Sequence, residues 1–289
     1  MSLRKNHHKS YIRPNCESRK KKLPQNYSKY VAKLKFWNIV AASVQFISFV
    51  GLLIAFLTNM DTYRRVSIWI VEDRGSTVNR LAEFFIAVSL LPFPAITSFF
   101  HVLALFDVDN YYYSVLIKGR NRLRWIEYSI TNGLITFSLV TLAGAGDIVL
   151  AIVCVLANFV MQYFGYLHEL LNHESLDGRY RSWTYLIIGF IPWVQIWLAI
   201  FVYYGINFST APLYESFAII GSFILSLTFV APLVWRFNKR PTCRNNYYLE
   251  LVYILLSLSA KLYLDWTVTI GSLVEGDSDE HTEIYHYRD

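Results

Sequence analysis

The sequence predicts an all-α integral membrane protein with seven transmembrane helices. Of its 289 residues, 54% are hydrophobic and only 17% are charged, and the mean hydropathy is +0.32. This balance is typical of membrane proteins and excludes a disordered chain. Seven apolar stretches are each long enough to cross the roughly 30 Å hydrocarbon layer as a helix. They are Trp37–Thr58, Leu81–Phe106, Leu123–Ala145, Ile148–Leu167, Trp183–Ile206, Phe217–Trp235 and Tyr247–Ile270.

The chain begins with a basic tail, residues 1–35, which holds eleven Lys and Arg residues against the single acid Glu17. It lacks the apolar core of a cleavable signal peptide. A basic tail can also bind nucleic acid, but this one leads directly into an apolar span. We therefore predict a cytoplasmic tail that contacts the membrane surface and sets the topology, with no nucleic-acid partner.

The distribution of basic residues predicts the orientation, because Lys and Arg near span ends stay on the cytoplasmic side. With seven spans, 21 Lys and Arg residues fall on the side of the amino terminus and five on the other side. The acidic carboxyl-terminal tail, residues 271–289, also falls on the poorer side. We therefore expect a multi-pass protein with its N-terminus in the cytoplasm, its C-terminus outside and a single helical domain over residues 36–270.

Two connections between spans carry structural signals. The first outside loop, Asn59–Arg80, contains the β-prone run Val66–Val71, which predicts a short β-ribbon over the outer face. The third and fourth spans are separated only by the turn Gly146-Asp147, so a different number of spans stays open at this point.

The motifs of common enzyme classes are missing from the sequence. The three cysteines are too few for a disulfide framework or a Cys-based zinc site, and no G-x-S-x-G, H-E-x-x-H or P-loop pattern occurs. His101 is the only histidine well inside a span, and one histidine cannot form a three-histidine zinc site. A seven-span metal-dependent lipid amidase therefore remains an alternative only if carboxylates such as Asp265 and Glu250 complete a site. We predict no enzymatic activity and no metal.

Lys261 is the sharpest signal, because the other 26 of the 27 Lys and Arg residues lie in loops, in tails or at the cytoplasmic edge of a span. At 1.5 Å per residue it is roughly 21 Å from Tyr247 and 14 Å from Ile270, too deep to reach either membrane surface. A charged amine at this depth is costly unless it is paired, and it indicates a functional site. Burial favours the neutral amine, which can condense with an aldehyde as a Schiff base. The sequence thus predicts a covalently bound chromophore.

Glu127 is the predicted partner of this lysine. It lies near the cytoplasmic end of the third span, and Arg124 is on the same helical face, where it can help to keep Glu127 ionised. Helical side chains lean toward the N-terminus of their helix, so Lys261 is expected to lean toward Glu127. Ser257, one turn before Lys261, can hydrogen-bond near the imine. The alternative is that Glu127 is an interfacial acid paired only with Arg124.

The sequence leaves the roles of the other polar residues in the spans open. His101 is either a hydrogen-bonded core residue or a proton acceptor. Asp265 follows Lys261 by one helical turn. Its role is either a second counter-charge, a gate in an ion path, or an acid in a water-filled outer opening. We place Glu215 in a solvated loop and Glu250 at the cytoplasmic interface.

The aromatic content, 17% of the chain, suits a flat polyene ligand. We name Trp193, Phe223 and Phe229 as candidate pocket walls. Aromatic belts at the membrane interfaces would use the same residue types, so this signal is weaker than that of the lysine.

Two strings in the sequence resemble the heliorhodopsin family: Arg124-Trp125-Ile126-Glu127-Tyr128-Ser129, and the seventh-span segment from Glu250 to Lys261 with Leu264 and Trp266 after it. The resemblance extends from about Trp37 to Ile270. It implies a rhodopsin-like bundle that holds all-trans retinal on Lys261 as a protonated Schiff base, with Glu127 as counterion and Ser257 near the imine. It also implies a homodimer assisted by the outside ribbon, and a slow photocycle that signals to an unidentified cytoplasmic partner.

The sequence departs from the family pattern in its proton-handling residues. His101 matches the second-span histidine, but the first span has none, and Gln45 lies near the expected place. Asp265 stands where an apolar residue is expected. His101, Arg124 and Asp265 are therefore our candidates for proton handling. A light-gated ion or proton channel or transporter of the same fold remains the alternative function.

Overall fold

The computed structural model describes residues 23–24, 26–59, 65–72, 77–85, 89–174, 182–238 and 242–286. Most of the predicted basic tail, including the run Arg19–Lys22, lies outside these residues. The side chains of the two strands and of residues 275–286 are also outside the description, so the structure does not test the predicted acidic tail.

The described residues form helices that pack along one another, with one two-stranded ribbon. The helices are α1 (Tyr27–Thr58), α2 (Pro92–Leu105), α3 (Tyr111–Leu116), α4 (Arg122–Leu142), α5 (Ile148–Glu174), α6 (Thr184–Asn207), α7 (Leu213–Thr228), α8 (Val230–Asn238) and α9 (Cys243–His286). Strands β1 (Arg65–Glu72) and β2 (Thr77–Phe85) pair in antiparallel fashion. Five stretches are long and apolar enough to span a membrane: 27–58, 148–172, 184–207, 213–238 and 243–274.

Helices α1 and α9 run parallel, and their contacts define the two ends of the bundle. Near their starts, the rings of Tyr30 and Tyr247 lie 5.1 Å apart, and further along the Trp266 indole donates a hydrogen bond to Ser48 at 3.1 Å. We call the end where α1 and α9 begin the tail end, and the opposite end the ribbon end, because β1 and β2 follow α1. Helix α9 also packs against α7, while α4, α5 and α6 pack in sequence.

The predicted second span, Leu81–Phe106, is wrong in its first part. Residues 81–85 belong to strand β2, and helix α2 begins only at Pro92. Proline suits the first turn of a helix because the amide hydrogen that it lacks would have no partner there. Apolar strand residues and apolar helix residues give the same hydropathy signal, which explains the error.

Other boundaries also differ from the prediction. Helices α4 and α5 are separate: Gly144 has φ +91°, and the Asp147 carboxylate accepts a hydrogen bond from the Val149 amide at 2.9 Å. The predicted sixth span is broken at Phe229 into α7 and α8. Helix α9 continues to His286, 16 residues beyond the predicted end of the last span at Ile270.

Candidate functional site

Lys261 and Glu127 form a buried ion pair in the centre of the bundle. The Lys261 ammonium group, on α9, donates hydrogen bonds to Glu127 Oε1, on α4, and to Thr97 Oγ1, on α2, the latter at 2.6 Å. Lys261 is only 2% exposed and Glu127 5%. The attraction between two opposite charges this close offsets part of the large cost of removing them from water.

Two threonines complete the environment of the Glu127 carboxylate. Thr97 and Thr131 donate hydrogen bonds to its Oε1 atom at 2.9 and 3.3 Å. Lys261 Nζ also lies 5.6 Å from the centre of the Tyr128 ring, which faces it as a weak cation–π partner. These donors and this ring stabilise a positive charge on the lysine nitrogen and a negative charge on Glu127.

A cavity of about 190 Å³ extends from this ion pair between helices α4, α5, α6, α7 and α9. Its volume is more than ten times what a single water molecule needs. Lys261 and Ser257 reach it from one side, and its walls are mainly aromatic and aliphatic. The aromatic lining residues are Trp125, Tyr128, Tyr185, Phe190, Trp193, Trp197, Phe229 and Tyr253.

The predicted wall residues fall into two groups. Trp193 and Phe229 line the cavity, and Phe229 packs edge-on against Tyr128 with ring centres 5.8 Å apart. Phe223 is outside the lining of the cavity. It stacks on Trp193 at 5.5 Å and contacts Trp197 at 5.1 Å, so it supports the wall from behind.

Arg124 contacts other acids than the one we predicted. Its guanidinium group donates hydrogen bonds to Glu169 on α5 at 2.8 Å and to Glu250 on α9 at 2.5 Å. The group also lies 3.8 Å from the centre of the Tyr253 ring. Among the described side chains, no ion pair joins Arg124 to Glu127. The prediction that Arg124 helps to keep Glu127 ionised is therefore wrong. Arg124 belongs to a separate ionic cluster, which lies closer to the tail end.

This cluster is deeply buried and well supplied with hydrogen bonds. Asn121 donates to Glu250 at 2.7 Å, and the Trp125 indole and Arg236 donate to Glu169. Glu250 is only 4% exposed, so its predicted place at the interface is corrected to the protein interior. The prediction for Glu215 is also wrong: it is 2% exposed and lies in the first turn of α7, not in a solvated loop. A small polar cavity of about 30 Å³, with room for about two water molecules, touches both Glu127 and Glu250.

Replacing Arg124 by alanine should strongly destabilise the protein, because it leaves the buried Glu169 and Glu250 without their main counter-charge. Breaking a buried pair in this way costs about 3–5 kcal/mol. Arg122, two residues earlier, forms an ion pair with Asp109 in which both side chains are more than half exposed. We expect Arg122→Ala to have almost no effect. Thermal unfolding in detergent checks this, and equal melting temperatures for the two variants would contradict the buried cluster.

His101 lies on α2 and its Nδ1 atom is 2.8 Å from the Asn38 side-chain oxygen on α1. It lines the same small cavity as Glu127. Asp265 lies one helical turn beyond Lys261, toward the ribbon end, and Gln45 lies on the neighbouring helix α1; both are 0% exposed. The structure thus brings polar groups near Lys261 on both of its sides.

Sequence reasoning missed Thr97, Thr131 and Glu169. The threonines carry no signal in sequence, since a hydroxyl in an apolar span often bonds to its own helix. Glu169 did carry one: it is an acid only two residues beyond an apolar stretch. A charged residue at a span end can be either solvated or turned inward, and the sequence gives no means to choose.

A comparison with models of known protein families shows to which family the chain is related. The heliorhodopsin family model matches residues 34–273, most of the chain. The chain belongs to the heliorhodopsin family. A search of curated proteins gave no match.

Solved structures show the same fold for this heliorhodopsin at low sequence identity. Xanthorhodopsin, titled a light-driven ion pump with dual chromophore, matches with a TM-score of 0.62 and 14% identity over 87% of this chain and 96% of its own. The transmembrane domain of a Salpingoeca rosetta rhodopsin phosphodiesterase gives 0.60 and 12%, over 86% and 89%. A thermophilic rhodopsin gives 0.58 and 13%, over 86% and 97%. At these identities the likeness establishes the fold alone.

Proposed function

We propose that this heliorhodopsin is a light sensor that binds all-trans retinal on Lys261. The carrying observation is the buried Lys261–Glu127 pair at the side of a large aromatic cavity. The residues present fit this chromophore: a buried amine, an acid beside it, and aromatic walls for a polyene. When bound through a Schiff base, retinal supplies absorption of visible light and an isomerisation that displaces the Lys261 nitrogen.

The protein's own residues have separate parts in this proposal. Lys261 holds the chromophore and Glu127 is the counterion of its nitrogen, with Thr97 and Thr131 fixing the carboxylate. Trp193 and Phe229 keep the cavity narrow and dry, and Ser257 lies beside the lysine. A small displacement of the nitrogen weakens its pairing with Glu127, because charge pairs in a low-dielectric interior depend steeply on distance. The resulting proton movement and helix rearrangement would form the signal.

The proposal includes the arrangement in the membrane. The protein crosses seven times, with the amino terminus in the cytoplasm and the carboxyl terminus outside, as the distribution of basic residues suggests. It acts as a homodimer with a slow photocycle and signals to a cytoplasmic partner. Labelling of single cysteines introduced at Lys118 and Asp147 tests the orientation, because the proposal places these two positions on opposite sides of the membrane.

The direct test is an absorption spectrum after addition of all-trans retinal or of retinol to the purified protein. Only the aldehyde can condense with an amine, so we expect a visible band with retinal and none with retinol. After a flash the band should be bleached and should return slowly. Folded protein that gives no visible band with retinal would overturn the proposal.

The size of the cavity near Trp125 gives a further prediction. A Cβ atom on Gly165 of α5 would overlap the Trp125 ring, whereas one on Gly205 of α6 would meet no atom within 4 Å. We therefore expect Gly165→Ala to push Trp125 into the cavity and to reduce the bound retinal at saturation severalfold or shift its band. Gly205→Ala should leave both unchanged. Identical spectra for the two variants would contradict the assignment of this cavity.

Conduction of protons remains a second candidate function, and one observation favours it. Asp265 places an acid on the ribbon side of Lys261, opposite to Glu127. A pure sensor does not need ionisable groups on both sides of the chromophore nitrogen, whereas a proton path does.

A further inference from the structure

Asp265 and Gln45 are buried polar side chains without hydrogen-bond partners in the described part of the chain. Both are 0% exposed. Neither carboxylate oxygen of Asp265 and neither amide atom of Gln45 has a partner there. Buried polar groups are nearly always hydrogen-bonded, because an unpaired one costs roughly 1–3 kcal/mol and a charged one costs more. Two such groups in one region therefore need an explanation.

The two side chains lie on the neighbouring parallel helices α1 and α9, at similar levels along the bundle. Trp266 follows Asp265 in α9, and its indole donates a hydrogen bond to Ser48 of α1. Ser48 lies three residues after Gln45 in the sequence. Asp265 is also one turn from Lys261 on the same face of α9. Asp265 therefore lies beside the lysine, on the side that faces the ribbon end.

The missing donors indicate the protonation state of Asp265. An ionised carboxylate in the interior needs hydrogen-bond donors or a close cation, and the Lys261 ammonium group is already bound to Glu127 and Thr97. A neutral acid avoids the cost of a second buried charge. Asp265 is thus expected to carry a proton in the resting protein, as a potential donor one helical turn from Lys261.

Polar groups continue from Asp265 toward the ribbon end. Ser272 lies seven residues further on the same face of α9, is 3% exposed, and its hydroxyl has no partner among the described residues. Thr269 lies between them and is 2% exposed, and Glu215 in the first turn of α7 is buried at this end as well. At the tail end the corresponding groups are Glu127, Arg124, Glu169 and Glu250.

We propose that Asp265 is a second proton-exchange site for the Lys261 nitrogen, on the ribbon side. After that nitrogen has given its proton toward Glu127, Asp265 gives it a new one: the Asp265 O–H bond breaks, an N–H bond forms, and a carboxylate remains. Ser272 and the ribbon-end solvent then return a proton to Asp265. Glu127 releases the proton that it received into the small polar cavity on the tail side, so one proton moves from the ribbon end toward the tail end in each cycle. This inference rests on the proposed function, because light must remove the first proton.

A metal cation is a poorer occupant of this site than a proton. Within the described residues no three His, Cys, Asp or Glu side chains are grouped as metal ligands. The site offers one carboxyl group, and the positive Lys261 would repel a second cation one turn away. A protonated Asp265 side chain is neutral and therefore adds no charge to the interior.

The first experiment needs neither light nor retinal. Infrared spectra of the retinal-free protein are compared with those of Asp265→Asn and of the matched control Asp147→Asn. Asp147 lies at the ribbon end and caps α5, a role that asparagine fills equally well. We expect the carbonyl band of a protonated carboxylic acid to be lost in Asp265→Asn and kept in Asp147→Asn. No difference between wild type and Asp265→Asn in this region would overturn the inference.

The second experiment follows protons after a flash in vesicles with retinal-loaded protein and pH-sensitive dyes on each side. We expect Asp265→Asn to slow proton uptake from the ribbon side by about a hundredfold, the lower end of what a positioned acid contributes. Asp147→Asn should behave like the wild type. Asp265→Asn that shows a visible band and wild-type uptake would overturn the inference. A wild type without a visible band would instead refute the photoreceptor proposal, while the infrared result would still decide the state of Asp265.

Discussion

Replacing Lys261 by alanine is expected to abolish the visible absorption band completely. Lys261 is the only lysine that reaches the aromatic cavity in the described part of the chain. Without its amine no covalent bond to an aldehyde can form, however well the cavity holds the polyene. The measurement is the absorption spectrum of purified protein expressed with all-trans retinal.

Two further variants separate loss of the amine from loss of the fold. Lys261→Arg keeps a positive charge beside Glu127 but cannot condense with an aldehyde, so it should also lack the band while retaining a cooperative melting transition. Lys118→Ala removes a lysine near the tail end, 5.5 Å from the Tyr113 ring, and should keep the wild-type spectrum. A visible band in Lys261→Arg would refute the attachment site.

Replacing Glu127 by glutamine is expected to shift the visible band to longer wavelength or to remove it. The Glu127 carboxylate stabilises positive charge localised at the Lys261 nitrogen, to which it is hydrogen-bonded. Light moves this charge away from the nitrogen, so loss of the carboxylate narrows the gap between ground and excited states. In addition, the protonated nitrogen loses its counter-charge and releases its proton more easily. Spectra recorded over a pH series detect both effects.

The matched control is Glu215→Gln, which neutralises another buried acid. Glu215 lies in the first turn of α7, where its neighbour Tyr214 lies so close to Gly271 that a Cβ atom there would overlap it. Gly271 is ten residues beyond Lys261, about 15 Å along the helix. Glu215→Gln should leave the band in place. If Glu127→Gln also left the spectrum unchanged over the whole pH series, Glu127 would not be the counterion.

The core of the candidate site could be predicted from sequence because its signals are local. Lys261 stands out as the only Lys or Arg residue deep inside a predicted span, and the cost of an unpaired charge in hydrocarbon requires an acid nearby. The structure brings Lys261 and Glu127 together, although 134 residues separate them. Thr97 could not be predicted, because its position beside the pair depends on how α2 packs against α4.

The partners of Arg124 show where sequence reasoning ends. Glu127 was the nearest acid on the same helical face, yet the guanidinium group binds acids 45 and 126 residues away. A side chain near a helix end can lie along its own helix or turn toward neighbouring ones. The packing of α5 and α9 decides between these options, and no local pattern records it.

The accuracy of the predicted span boundaries was limited by what hydropathy measures. It finds where the chain is apolar, and helices need not end there: α9 continues to His286 through a segment rich in acids. Residues 81–85 are apolar enough to extend a span but lie in β2. The break at Phe229 between α7 and α8 also leaves the hydropathy of the sixth span unchanged.

The most direct test of the photoreceptor account is to locate the chromophore on the chain. Borohydride reduction of the retinal-loaded protein turns an imine into a stable amine, and mass spectrometry of its peptides then identifies the modified residue. The account predicts one retinyl group per chain, on the peptide that contains Lys261. A retinyl group on any other lysine, or none at all in protein that shows the visible band, would contradict it.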